Sequence, residues 1–277
     1  MSILEFSLLV WGGSFTAGFL GALTGLGGGV VIVPLLNSVF GVDIRYAIGA
    51  SLVSVIATSC SAASTYIKQG FTNLRLGMFL EVATTIGALI GGLLAAFVSV
   101  QALTVVLGIV LLYSAYLAQR PQAEQFNCVS TDLLVARLRI NGTCPTPDGL
   151  MAYQIQSVRT GFGLMVVAGV LSGLLGIGSG ALKVLAMDRV MQVPFKVSTT
   201  TSNFMIGVTA AVSAGVYLAR GYIDPGLSMP VMLGVLPGAF LGARVLIKAQ
   251  TQTLRIVFSL VLVLMAFKMI YNSLLGG

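Results

Sequence analysis

Histidine is absent from the 277 residues of this chain, and charged residues make up only 8% of it. An ordinary soluble domain carries about a quarter charged residues, so the low charge argues against a soluble protein. The three cysteines, Cys60, Cys128 and Cys144, lack the spacing of a zinc or haem site. The sequence also offers no histidine, cysteine or paired-carboxylate constellation. These absences argue against an enzyme and against a bound metal or other cofactor.

Apolar residues take the place of the missing charge, since 57% of the chain is hydrophobic. A bilayer core of roughly 30 Å requires about 20 apolar residues per helix. The pattern predicts an all-α polytopic membrane protein with eight hydrophobic segments, at residues 5–40, 46–67, 76–98, 102–118, 156–187, 197–219, 227–247 and 253–275.

The basic residues do not form a nucleic-acid site. The net charge is +7, but the 15 Lys and Arg are scattered singly between apolar runs, without a basic stripe or a recognisable binding module. We therefore expect the lipid bilayer, and no nucleic acid, as a partner. The opening MSILEFSLLVWGG has no basic n-region and no obvious cleavage site, so we expect it to stay in the mature protein.

The sequence matches itself when it is shifted by 151 residues. GALTGLGGGVVIVP from Gly21 aligns with SGLLGIGSGALKVL from Ser172, and the match runs without a gap to Gly91 and Gly242. A gapless register that keeps the glycines is typical of an internal duplication. We predict a first membrane repeat at 1–119, a polar linker at 120–155 and a second membrane repeat at 156–277.

The first segment of each half decides how the halves are oriented. Each is interrupted by glycines and is either one broken span or a re-entrant hairpin. Single spans would make the repeats parallel and divide the basic residues eight to six, which is no bias. Hairpins would make the repeats inverted and divide them eleven to three, as the positive-inside rule expects. The eleven are Lys68, Arg75, Arg120, Arg137, Arg139, Arg159, Arg189, Lys196, Arg244, Lys248 and Arg255, and the three are Arg45, Arg220 and Lys268.

We therefore predict two inverted repeats, each a glycine-broken re-entrant helical hairpin plus three transmembrane helices. Both termini are then extracytoplasmic. The linker is cytoplasmic, and its cysteines are reduced thiols.

The two glycine-rich breaks are the candidate substrate site. Breaking a helix at membrane depth leaves backbone N–H groups that need protein, water or a ligand as partner, and glycines allow an anion to approach closely. Close helix packing is the alternative explanation for small residues. The residues concerned are Gly25, Gly27, Gly28 and Gly29 in the first half, and Gly176, Gly178, Ser179 and Gly180 in the second.

Polar side chains near the breaks extend this candidate site. Hydroxyls and an amide at the start of the next segments can donate hydrogen bonds to an oxyanion, although helix-to-helix bonding is an alternative for each of them. These are Ser51, Thr200, Thr201, Ser202 and Asn203.

Two charged residues lie inside apolar segments. Lys183 follows Ser179 by four residues and is a candidate anion ligand, with snorkelling or pairing with Asp188 as the alternative. Glu81 is a candidate carrier of a coupling proton, with pairing to Arg75 or exposure near the headgroups as the alternative.

The segments GLGGGVVIVPLL and AIGASLVSVIATS, with their echoes LLGIGSGALKVLAM and STTTSNFMIGVTA, resemble the TauE/SafE family, also called the toluene sulfonate uptake permease family. The resemblance covers both halves outside the linker. It implies transport of small anions, such as sulfite, sulfoacetate, sulfolactate or related carboxylates, across the plasma membrane. We expect an ion-coupled secondary transporter that works in export. A channel-like anion pore without coupling and a non-transporting scaffold are the alternatives.

Overall fold

The computed structural model describes residues 3–94, 140–146, 149–176 and 178–275, with isolated positions at 99, 112, 115, 116, 135 and 138. This part of the chain is almost entirely helical, which confirms the predicted all-α polytopic fold class. The helices are α1 (Ile3–Thr24), α2 (Gly29–Pro34), α3 (Ile44–Lys68), α4 (Leu74–Leu94), α5 (Val158–Leu175), α6 (Gly180–Leu185), α7 (Phe195–Ala219), α8 (Pro225–Lys248) and α9 (Thr251–Leu275).

Six of the helices in the described ranges are long and apolar enough to cross a membrane, namely α1, α3, α4, α5, α7 and α8. The predicted segment at 253–275 forms α9. Most of the predicted segment at 102–118 lies outside the described residues.

Each half opens with a helix that breaks at glycine and turns back. Gly25, Gly27 and Gly28 have φ angles of 78°, 74° and 76°, a left-handed conformation that costs glycine little. After this turn α2 and a π-helical turn at Leu35–Val39 run back along α1. A Cβ on Gly13 would lie 2.6 Å from the Leu35 side chain, so the returning segment touches the helix that it came from. The second half repeats the arrangement with α5, α6 and a π-helical turn at Ala186–Val190.

The two halves pack crosswise, with α1 against α8 and α5 against α4. A Cβ on Gly238 would collide with the Phe15 carbonyl oxygen, and a Cβ on Gly87 would collide with that of Val166. The two contacts are equivalent under the 151-residue shift. The matched glycines are therefore the positions at which each half lets the other's helix come within backbone contact.

The equivalent helices α3 and α7 pack against each other and run antiparallel. The start of α3 lies at the end of α7, because a Cβ on Gly49 would collide with the Tyr222 carbonyl oxygen. The end of α3 lies at the start of α7, because Thr200 Oγ1 donates a 2.8 Å hydrogen bond to the Phe71 carbonyl. These contacts are also equivalent under the shift. Inverted orientation in a bilayer stays a prediction, and the antiparallel course is the geometry that it requires.

Within the predicted 120–155 linker the structure adds an antiparallel β-hairpin, β1 (Gly142–Thr146) and β2 (Gly149–Tyr153). Asn73, at the start of α4, anchors it by donating hydrogen bonds to the Ile140 carbonyl at 2.7 Å and to Tyr153 Oη at 2.8 Å. Cys144 is buried in this region, and Cys128 lies outside the described residues.

Candidate functional site

The glycine turns of the two halves meet at one place. A Cβ on Gly27 would lie 2.9 Å from Ile206 Cγ2 and 3.1 Å from Val55 Cγ1. A Cβ on Gly178 would lie 2.8 Å and 3.4 Å from the same two atoms. Val55 and Ile206 are equivalent positions near the middle of α3 and α7. The two predicted glycine-rich breaks therefore adjoin one another between the central helices α3 and α7.

The turns also touch directly. A Cβ on Gly180 would collide with the Gly25 carbonyl oxygen, so only glycine fits there. Gly28 and Ser179 occupy the positions before α2 and α6, and both are left-handed, with φ angles of 76° and 46°. A left-handed serine is uncommon, and such strain often lies at functional sites.

Two serines connect the halves reciprocally. Ser51 Oγ donates a 3.2 Å hydrogen bond to the Gly176 carbonyl, and Ser202 Oγ donates to the Gly25 carbonyl at 3.1 Å. Carbonyls at a broken helix lose their helical partners, and a buried hydroxyl replaces them. These two predicted site residues thus lie at the turns, where their hydroxyls hold one half to the other.

The other predicted polar residues divide between two places. Asn203 Nδ2 donates a 2.9 Å hydrogen bond to the Ala22 carbonyl, which places this amide at the first turn. Thr200 donates to the Phe71 carbonyl, and Thr201 Oγ1 accepts a hydrogen bond from the Asn73 backbone N–H at 3.1 Å. The two threonines therefore lie at the loop between α3 and α4.

Four polar atoms near the turns have no hydrogen-bond partner in the described structure: Ser172 Oγ, Ser179 Oγ, Thr199 Oγ1 and Asn203 Oδ1. Thr199 was not among the predicted site residues, although it belongs to the same hydroxyl-rich run. A Cβ on Gly25 would lie 3.0 Å from its Cγ2, so Thr199 packs on the first turn. Unpartnered buried polar atoms require an explanation, and a polar ligand is one.

The unpartnered polar groups near the turns all come from the second half of the chain. Around the first turn stand Thr199 and Asn203, whereas the equivalent positions of the first half hold Ile48 and Leu52. Ile48 indeed packs on the second turn, because a Cβ on Gly176 would collide with its Cγ2. The backbone of the two turns is nearly symmetric, whereas the unpartnered polar side chains around them come from the second half.

The two predicted charged residues pair with each other. Lys183 Nζ lies 3.6 Å from Glu81 Oε2, and the side chains are 0% and 9% exposed. Thr209 bridges them, accepting a hydrogen bond from Lys183 Nζ at 2.5 Å and donating one to Glu81 Oε1 at 2.6 Å. The sequence suggested Asp188 and Arg75 as the alternative partners. Asp188 instead contacts Arg189, with its Oδ2 3.5 Å from the guanidinium Nε.

This ion pair lies one helical turn from the meeting point of the glycines. The Lys183 backbone N–H donates to the Ser179 carbonyl, and Thr209 follows Ile206 by three residues on α7. On the outer side, Glu81 lines an apolar cleft of about 400 Å³ between α4 and α7. Glu81 belongs to the first half and Lys183 to the second, so removing either side chain would leave the other charge buried and uncompensated, at a cost of about 3–5 kcal/mol.

The protein is a multi-pass membrane protein with a central polar site. It combines helices of membrane length, two glycine turns that meet between them and a buried ion pair beside the turns. The chain matches the model of the family described as "Sulfite exporter TauE/SafE" over residues 10–269. It therefore belongs to the TauE/SafE family, as the motifs predicted.

The relatives are named as membrane transporters. The chain is 30% identical to the probable membrane transporter protein YunE of Bacillus subtilis over 93% of this chain and 95% of the relative. It is 25% identical to YdhB of the same organism, with 83% and 86% covered, and to a probable membrane transporter protein of Xylella fastidiosa, with 92% of each covered. No solved structure matches. The protein is thus a membrane transporter of the TauE/SafE type.

Proposed function

We propose that this protein is a secondary transporter that moves small anions, such as sulfite or organosulfonates, across the plasma membrane, in export and coupled to an ion. The observation that carries the proposal is the convergence of the two glycine turns on Val55 and Ile206. Broken helices that meet between two halves are the usual site of substrate binding in transporters built from inverted repeats. The family description, sulfite exporter, supports the choice of anion.

In this proposal the anion binds between the turns and is held by the second half. Ser179, Thr199 and Asn203 supply hydrogen-bonding atoms that have no protein partner in the described structure. Lys183 supplies the positive charge one helical turn away. Because the two turns adjoin, we expect one anion per chain and not two.

We propose further that the halves are inverted in the membrane, with both termini extracytoplasmic and the linker cytoplasmic. The antiparallel course of α3 and α7 supports the inversion. The eleven-to-three division of basic residues supports the sidedness. Rocking of one half against the other would then expose the central site to each side in turn.

The test is flux of sulfite and of simple sulfonates in proteoliposomes, measured with and without a pH gradient. We expect saturable transport, and Lys183→Met should weaken anion binding roughly tenfold or more, since a charge-assisted hydrogen bond contributes about 1.5–3 kcal/mol. Lys248→Met is the matched control, because Lys248 is an exposed basic residue at the end of α8. Flux that does not saturate, or equal affinity in the two variants, would contradict the proposal.

A further inference from the structure

Glu81, Thr209 and Lys183 form one continuous polar contact between the halves. The Thr209 hydroxyl has a single proton, which it donates to Glu81 Oε1, so it receives its second hydrogen bond from Lys183. Glu81 Oε2 has no hydrogen-bond partner in the described structure, and 3.6 Å is too long for an N–H···O bond to Lys183. The direct contact between the two charges is therefore not a hydrogen bond, and Lys183 Nζ, which has three N–H donors, donates to Thr209 instead.

Among the described residues, the positions equivalent to this polar contact carry no ion pair. Under the 151-residue shift Lys183 corresponds to Ile32 and Glu81 to Met232, while Thr209 corresponds to Thr58. Thr58 donates its hydroxyl to the Ser54 carbonyl on its own helix. At the equivalent position the helices therefore pack without any charged residue, so their packing does not require the ion pair.

Among the described residues, other charges near Glu81 come from few elements. Lys183 on α6 is its ion-pair partner in the described structure. Of the helices packed on α4, α5 carries Arg159 in its first turn and α7 carries Lys196, which donates to the Ile247 carbonyl. Arg75 lies six residues earlier on α4, about 9 Å along the helix axis. Lys183 is therefore the cation that sets the charge balance at Glu81.

This balance changes when an anion arrives. The empty site is neutral, because one ammonium faces one carboxylate. A monovalent anion at Lys183 beside an ionised Glu81 would leave one uncompensated negative charge in a buried region, which is strongly unfavourable. A proton on Glu81 restores neutrality.

We propose that a monovalent anion opens the Glu81–Lys183 ion pair, taking the place of the carboxylate beside Lys183 while Glu81 takes up one proton from water. The step breaks one ion pair, forms another and converts a carboxylate to a carboxylic acid, and the proton comes from hydronium in the surrounding water, which becomes water. The inference rests on the proposed anion transport and gives it a coupling ion. One anion and one proton then cross together without net charge, so the proposed export requires an outward anion gradient that is larger than any inward proton gradient.

The experiment counts the protons taken up when an anion binds. Purified protein is titrated with methanesulfonate by calorimetry in buffers of different ionisation enthalpy. This anion has no titratable proton near neutral pH, so any proton comes to the protein. We expect about one proton taken up per anion by the wild type at a pH where Glu81 is ionised, and none by Glu81→Gln, which should still bind. Met232→Gln, at the equivalent position, should behave as the wild type.

A second pair of variants keeps the test informative if Glu81→Gln does not fold. Thr209→Val removes the hydroxyl that donates to the Glu81 carboxylate, so the midpoint of the pH dependence of anion affinity should move up by about one pH unit. Thr58→Val, its equivalent, should leave the midpoint unchanged.

The outcomes separate the two proposals. If the wild type binds and transports anions without proton uptake, or if Glu81→Gln still takes up a proton, the coupling inference is wrong and the transport function stands. If the wild type transports neither sulfite nor sulfonates, the proposed function fails and the inference fails with it.

Discussion

Replacing Gly178 by alanine tests whether the glycine turns meet at the centre. The cost has two sources. The residue has a φ of 79°, and a left-handed conformation costs a non-glycine residue about 1–2 kcal/mol. In addition the new methyl would lie 2.8 Å from Ile206 Cγ2, and such overpacking costs about 1–3 kcal/mol. We expect Gly178→Ala to lower the free energy of unfolding by about 2–5 kcal/mol.

Gly221 provides a control for the conformational part. Its φ is 74°, and a Cβ there would have nothing within 4 Å. Gly221→Ala should therefore cost only about 1–2 kcal/mol, and the difference from Gly178→Ala measures the collision with Ile206.

The decisive step is to shorten Ile206. Ile206→Ala removes the methyl that both Gly27 and Gly178 face, so in that background Gly178→Ala should cost about as much as Gly221→Ala. Gly27→Ala should cost less than it does with Ile206 in place, but more than Gly221→Ala, because its Cβ still lies 3.1 Å from Val55 Cγ1. The assay is unfolding of the purified protein in mixed micelles with increasing SDS, followed by circular dichroism. If either glycine substitution costs as much in the Ile206→Ala background as it does with Ile206 in place, the turns do not converge on this residue and the one-site reasoning is refuted.

Three further predictions concern the linker hairpin and the helix starts. Leu150 is 73% exposed at the hairpin, whereas Cys144 is buried. Leu150→Cys in a chain without other cysteines should therefore react with an impermeant maleimide only after the cells are opened, and reaction in intact cells would overturn the cytoplasmic linker. Asn73 caps α4 by accepting a hydrogen bond from the Leu76 N–H, and it also holds the hairpin, so Asn73→Ala should lower the free energy of unfolding by about 2–3 kcal/mol. The exposed N-cap variant Asp224→Ala should lower it by about 1 kcal/mol, and equal losses would show that the hairpin contacts contribute nothing. Burial raises the pKa of Tyr153 from 10.0 to about 12, so the stability that the neutral phenol contributes is complete below pH 10.0 and is lost as the pH rises to about 12. Tyr153→Phe should therefore lose less stability than the wild type across that range, and identical alkaline unfolding of the two proteins would contradict this.

The sequence by itself determined the class and the frame of the molecule. Low charge and long apolar runs require a bilayer, whatever the packing of the helices. The glycines of the two breaks identified the turns, because a φ above zero is a local property that glycine adopts at little cost. The 151-residue repeat also predicted which glycines would be matched, and the structure shows their common role as sites of close helix contact.

Only the tertiary structure decided which side chains meet across the halves. Glu81 and Lys183 were each recognised as unusual, but their pairing depends on α4 and α6 approaching from different repeats, and no local spacing encodes that distance. For the same reason Thr199 and Thr209 escaped notice, and Ser51 and Ser202 proved to hold the turns. The direction in which a helical side chain points follows from the period of the helix, but what it touches depends on how distant helices pack.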